Sequence, residues 1–122
     1  MIDHVIIGVT DLEAAKKFYA AALKPLGYTM PFAGGWGAGF QSGEGVPDFF
    51  LHPAETVTPV HVAFHTEDRA LVSAFYEAAM AAGGKDNGAP GLRPHYHENY
   101  FGAFVLDADG YNIEAVCHKP EN

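Results

Sequence analysis

The chain has 122 residues and a single cysteine, with 15 acidic against 7 basic side chains and a formal net charge of −8. That length suits one ordinary domain, able to bury about two-thirds of the surface its unfolded form would expose. One cysteine excludes an internal disulfide framework, dispersed cations in an acidic chain argue against nucleic acid, and no apolar run reaches the roughly 18 to 20 residues of a membrane span. No basic-then-apolar leader opens the sequence, so a cytoplasmic protein binding a small molecule is expected.

Sliding the sequence along itself by 57 positions aligns His4 with His61, Val5 with Val62, Asp11 with Asp68, Phe18 with Phe75, Tyr19 with Tyr76, Ala21 with Ala78, Ala22 with Ala79 and Gly27 with Gly84. The ordered, gapless match reads as a duplicated unit. The whole chain, 1–122, is then a single domain made of module one, 1–56, and module two, 57–122.

In module one, Ile2 to Val9 is rich in β-branched residues and predicts a strand, with Val5, Ile7 and Val9 on one face and His4 and Ile6 on the other. Thr10-Asp11-Leu12-Glu13 has the pattern of a capping box and predicts a helix start. Leu12, Ala15, Tyr19, Ala22 and Leu26 recur at helical spacing, and Gly27 supplies the stop. Short strands are predicted at about Gly37 to Gln41 and Asp48 to His52.

Module two repeats the plan with a strand over Val60 to Thr66, a helix whose stripe is Leu71, Val72, Phe75, Ala79 and Met80, and a stop at Gly83-Gly84. Asn87 to Asn99 predicts a long loop of the kind that is functional or mobile, followed by strands over Tyr100 to Leu106 and Asn112 to His118.

Strand parity then selects the chemistry. If the Val5 and Val62 faces meet the helices, His4 and His61 point to the helix-free side, and Ile113, Ala115 and Cys117 on the helix side of the last strand put Glu114 there too. Two imidazoles and a carboxylate suit Zn, Mn, Fe or Ni and leave coordination positions open for substrate or water. A satisfied core histidine is the bland reading of either His alone; matched placement of both, with a strand Glu that would otherwise be a costly unpaired charge, favours a metal site.

The strand His, the Phe-Tyr pair on each helix and the closing Asp107-Ala108-Asp109-Gly110-Tyr111-Asn112-Ile113-Glu114 resemble the vicinal oxygen chelate superfamily of glyoxalase I, extradiol dioxygenases, fosfomycin-resistance proteins and bleomycin-binding proteins. The resemblance spans essentially the whole chain. It implies an α+β fold, two βαβββ modules in a cupped mixed eight-stranded sheet with helices outside, commonly in a homodimer. It also implies a divalent metal held at His4, His61 and Glu114, with lyase, dioxygenase or thiol-transfer chemistry. Glyoxalase I adds a fourth ligand from the last strand of its first module, where this chain has Asp48-Phe49-Phe50-Leu51-His52. The central cavity-facing position there is Phe50, which cannot bind a metal and could instead line the pocket. The pattern is therefore closer to a three-ligand enzyme than to glyoxalase I, and a metal-free module resembling the bleomycin-binding branch is the rival.

Arg93-Pro94-His95-Tyr96-His97-Glu98-Asn99-Tyr100 is dense in polar groups. His95 or His97 could act as general acid or base and Tyr100 could steady an oxyanion, or the stretch could be a loop pinned by its own hydrogen bonds. Arg93 could pair with a substrate carboxylate or with a neighbour such as Glu98. Trp36, flanked by glycines, is a candidate for the pocket mouth. Asp48, His52, His65 and His118 remain secondary candidates, and Cys117 is expected to be a buried, inert thiol.

Overall fold

The computed structural model describes residues 1–121. Val5–Val9 (β1) leads into Leu12–Leu23 (α1), then Tyr28–Gly34 (β2), Gly37–Ser42 (β3) and Phe49–Pro53 (β4). His61–His65 (β5), Arg69–Ala81 (α2), Lys85–Asp86 (β6), Gly91–Leu92 (β7), Phe101–Leu106 (β8) and Asn112–Cys117 (β9) form the second unit. Each unit builds its own mixed sheet, β1-β4-β3-β2 and β5-β9-β8-β6 with β7 added on β8, and β1 and β5 run parallel to β4 and β9. The expected eight strands are thus nine, divided between a four-stranded and a five-stranded sheet, with β1 and β5 at the edges of their own sheets.

The predicted faces are in place. Val5, Ile7 and Val9 join the core with Phe49 and Leu51, while Ile6 remains 54% exposed on the other side. Both helices contribute to the same cluster through Phe18, Tyr19, Ala22, Leu23, Val72, Phe75 and Ala79. Phe49 of the first sheet meets Phe64 of the second, ring centroids 5.2 Å apart, so the helix-facing sides of both sheets share one core. Burying such side chains is worth about 1.5–3 kcal/mol each, which makes the joint core the main bond between the modules. The helix-free faces look outward from it.

Several boundaries moved for local reasons. β1 begins at Val5, not Ile2, because its parallel partner β4 begins at Phe49 and the chain before that is broken by Pro47. α1 stops at Leu23 and tightens into a 3-10 turn over Lys24–Leu26 because Pro25 has no amide to donate, and Gly27 closes it at φ 85. The capping box does not form: Asp11 is the cap, accepting from the Ala14 amide at 3.1 Å, and Glu13 pairs with Lys16. Thr10 is occupied elsewhere, as described below.

β2 was not anticipated, because Pro31 breaks its pattern; the strand survives at the sheet edge with a register shift between Thr29 and Phe32. β6 and β7 are two residues each and carry no readable periodicity. β7 pairs with β8 inside the stretch expected to be one long loop, which leaves 93–100 as the true irregular segment. Among the described residues no helix is long and apolar enough to cross a membrane.

Candidate functional site

Glu114 anchors the helix-free face of the second sheet. β9 places it opposite Ala63 on β5 and Phe104 on β8, and only 1% of it is exposed. A carboxylate taken that far out of water needs strong partners. Its Oε1 lies 2.7 Å from His61 Nε2, and its Oε2 accepts from the Tyr100 hydroxyl. Gly102 on β8 makes the room: a Cβ there would sit 3.1 Å from Glu114 Oε2 and 3.2 Å from the Tyr100 ring. Burial, and then the adjacent carboxylate, push the Tyr100 phenol well above its ordinary range, so it stays protonated and donates.

The 93–100 segment reaches this group through Tyr100. His97 Nδ1 lies 2.9 Å from the Glu98 carbonyl oxygen, which can only accept, so that nitrogen carries the proton. His97 Nε2 lies 2.9 Å from His118 Nδ1. The His97 and His118 rings both meet the Tyr100 ring edge-on, at 5.2 and 5.4 Å, and His65 stacks on His118 at 5.7 Å. Of the proton-transfer candidates, Tyr100 contacts Glu114 directly and His97 packs on the Tyr100 ring. His95 is exposed and lies against Tyr96 at 4.3 Å, one ring further out than Tyr100. Arg93 lies over the Phe104 ring, with Cζ 5.3 Å from its centroid, and Phe104 in turn faces the His61 ring at 5.9 Å.

The counterpart in the first sheet is separate. His4 precedes β1, holds Asp3 Oδ1 through Nδ1 at 2.6 Å and meets the Phe50 ring edge-on at 5.5 Å. Phe50 lies where parity placed it, over Gly39, whose missing Cβ would be 2.9 Å from the ring. Asp48 is engaged by the Tyr28 hydroxyl at 3.0 and 3.1 Å. Trp36 sits at the tip of the β2–β3 hairpin, 56% exposed. Among the described residues of one chain, no three His, Cys, Asp or Glu side chains stand close enough together to hold a metal ion. His61 and Glu114 meet as expected; His4 does not join them, because β1 and β5 are edges of different sheets.

Sequence reasoning missed what the Asp-x-Asp-Gly-Tyr segment does besides leading into Glu114. Asp107, buried, accepts from the Tyr19 hydroxyl and from the amides of Asp109 and Tyr111 at 3.0 and 2.9 Å. Asp109 accepts from the Thr10 amide at 3.0 Å and its hydroxyl at 2.6 Å, and the Tyr111 hydroxyl donates to the Gly8 carbonyl at 2.8 Å. The turn is a latch between the modules. Its signal was a buried Tyr on a helix stripe, whose hydroxyl must find a partner. Cys117 is buried and free, as anticipated.

The family model described as "Glyoxalase/Bleomycin resistance protein/Dioxygenase superfamily" matches residues 1–115. Among solved structures, the chain is similar to a glyoxalase/bleomycin resistance protein from Albidiferax ferrireducens T118, with 29% identity, a TM-score of 0.80, and coverage of 97% of this chain and 98% of that one. It shares its fold with a glyoxalase/bleomycin resistance protein/dioxygenase family enzyme from Burkholderia phytofirmans PsJN (18% identity, TM-score 0.74, 97% and 98% covered). It does so too with the fosfomycin resistance protein FosX from Mesorhizobium loti (17% identity, TM-score 0.72, 98% and 92% covered). Among curated proteins none matches the chain by sequence.

Proposed function

The chain belongs to the Glyoxalase/Bleomycin resistance protein/Dioxygenase superfamily, and from that premise we propose that it is a small metal-dependent enzyme acting on an oxygen-rich organic substrate. Its divalent metal is held by His61 and Glu114 of one chain and His4 of a second copy in a homodimer. The observation that carries this reading is Glu114: a carboxylate 1% exposed, with an imidazole nitrogen at 2.7 Å and no lysine or arginine paired with it among the described residues. A buried carboxylate and an imidazole at this separation are a donor set that a divalent cation accepts.

The donor set fits such an ion. Asp3 Oδ1 lies 2.6 Å from His4 Nδ1, which leaves Nε2 as the nitrogen that would hold the ion, the arrangement in which a carboxylate orients a ligand histidine. When bound, the ion supplies Lewis-acid polarisation of substrate oxygens. Tyr100 keeps Glu114 oriented by donating to Oε2, and the carboxylate is buried. His97, held between the Glu98 carbonyl and His118 and set against the Tyr100 ring, is the candidate for moving a proton.

The second copy is motivated by the open edges. β1 and β5 each present an unpaired side, and Ile2, Ile6 and Val60 beside them are 82%, 54% and 51% exposed. A two-fold arrangement that sets β1 of one chain beside β5 of the other covers both edges, brings His4 to His61, and repeats the site twice. The rival, a metal-free small-molecule binder in the cytoplasm, draws on the separation of His4 from the pair within one chain.

Elemental analysis of protein purified without a histidine tag or chelator should give about one metal per chain, and His61→Ala and Glu114→Gln should lose it. An empty wild type that cannot be loaded with Zn, Mn, Fe or Ni would leave the binding-module reading instead. Tyr100→Phe removes only the phenol that orients Glu114, so it should keep the site but weaken metal affinity by about 10–100-fold. Titration against a chelator of known affinity reads this directly, and an unchanged affinity would show that the contact does not orient the ligand.

A further inference from the structure

We propose that Arg93 reads an oxyanion, a carboxylate or phosphonate, carried by the substrate of the His61–Glu114 site, an inference that rests on the function proposed above. The guanidinium is built into place. It lies over the Phe104 ring at 5.3 Å, and Nη2 donates to the Ala89 carbonyl at 2.8 Å. Two glycines make the space: a Cβ at Gly88 would stand 3.1 Å from Nη2 and 2.8 Å from the Phe104 ring, and one at Gly91 would stand 3.2 Å from Nη1. Gly88 also takes φ 146, a backbone conformation that side chains rarely adopt.

That seat adjoins the site through Phe104. Phe104 is the register partner of Glu114 and its ring meets the His61 ring at 5.9 Å, so one aromatic ring separates the guanidinium from the candidate ligands. The ion pair with Glu98 considered from sequence is not made. Among the described residues Lys16, Arg69 and Lys119 have carboxylate partners within 4.0 Å, whereas Arg93, like Lys17, Lys24 and Lys85, has none. An Arg held by backbone carbonyls and a ring keeps the remaining N–H groups of its planar fork available, the geometry that binds carboxylate and phosphonate oxygens in pairs. In a chain of net charge −8, a local cation such as Arg93 favours the approach of an anionic substrate. A neutral substrate would give the seat no purpose beyond packing on Phe104.

Calorimetric titration of zinc-dialysed wild type, Arg93→Lys and Arg93→Ala with phenylacetate, phenylphosphonate and the neutral phenylacetamide tests this, with metal content measured on the same samples. Wild type should bind at least one of the two anions about tenfold or more tightly than the amide, and which anion it prefers identifies the oxyanion. Arg93→Ala should abolish that preference at unchanged metal content, and Arg93→Lys should restore part of it. A wild type with no anion preference, including one that binds none of the probes, overturns the inference, as does an Ala variant that retains the preference. Loss of preference with metal still bound strikes Arg93 alone. A metal-free wild type whose anion preference still depends on Arg93 strikes the metal reading and leaves this one standing.

Discussion

Coexpressed His4→Ala and Glu114→Gln chains should recover one metal per heterodimer, although each variant alone holds none. The reason is geometric. Within one chain His4 belongs to the outward face of the first sheet and the His61–Glu114 pair to the outward face of the second, with the shared core between the two sheets. If the site is completed by a two-fold partner, the mixed dimer contains one position that has lost both contributions and one that keeps His4 from one chain and His61 with Glu114 from the other. Differently tagged chains, with tags free of histidine, allow the mixed species to be isolated and its metal counted. Were the site built within one chain, both positions of the heterodimer would be defective and the mixed species would be as empty as its parents. That result, beside a fully loaded wild type, would overturn the shared-site arrangement. A wild type that is monomeric at micromolar concentration yet carries one metal per chain would do the same.

Much of this arrangement could be read in the sequence, and the part that could not has a common cause. The 57-residue repeat and strand parity were enough to place His61, Glu114 and Phe50 on helix-free faces, because alternation along a strand is a local property. Parity says which face a residue occupies but not which sheet meets which. His4 and His61 occupy equivalent positions in the two modules, yet β1 and β5 are edges of separate sheets, and only the packing of α1 against α2 with Phe49 against Phe64 decides that. The same limit explains the capping box. Thr10 and Glu13 have the right spacing, but Asp109, 99 residues further along, takes the Thr10 hydroxyl and Asp11 caps in its place. Tertiary competition of that kind leaves no trace in a window of four residues. β2 was obscured differently: an edge strand tolerates Pro31 because its outer side has no ladder to complete.

Replacing Asp107 should cost more stability than replacing any residue of the proposed metal site, because it holds the modules together from a buried position. Asp107→Ala strands the Tyr19 hydroxyl, which is fully buried, together with the Tyr111 amide, and releases the turn that lets Asp109 hold Thr10. Each buried group left without a partner costs about 1–3 kcal/mol, so a loss of about 3–5 kcal/mol is expected. A domain of this size has roughly 5–15 kcal/mol in total, so the melting temperature should fall by about 10 °C or more. The pH dependence carries a second signature. Burial is the largest influence on the Asp107 carboxyl and raises its pKa in the folded protein, with the Tyr19 hydroxyl and two amides opposing that rise. A raised folded value means the native state holds the proton more tightly than the unfolded chain. The contribution of this group to stability is then full below the unfolded Asp value of about 3.9 and is lost as pH rises through the folded value. Asp107→Asn keeps the shape and most acceptors but cannot titrate, so its stability profile should lack that fall on going from about pH 4 to neutrality. Urea unfolding of wild type and the Asp107→Asn variant across that range measures the difference in slope. Parallel curves would mean that Tyr19 and the amides hold the carboxylate ionised throughout, and that the latch works as a permanent charge rather than a shared proton.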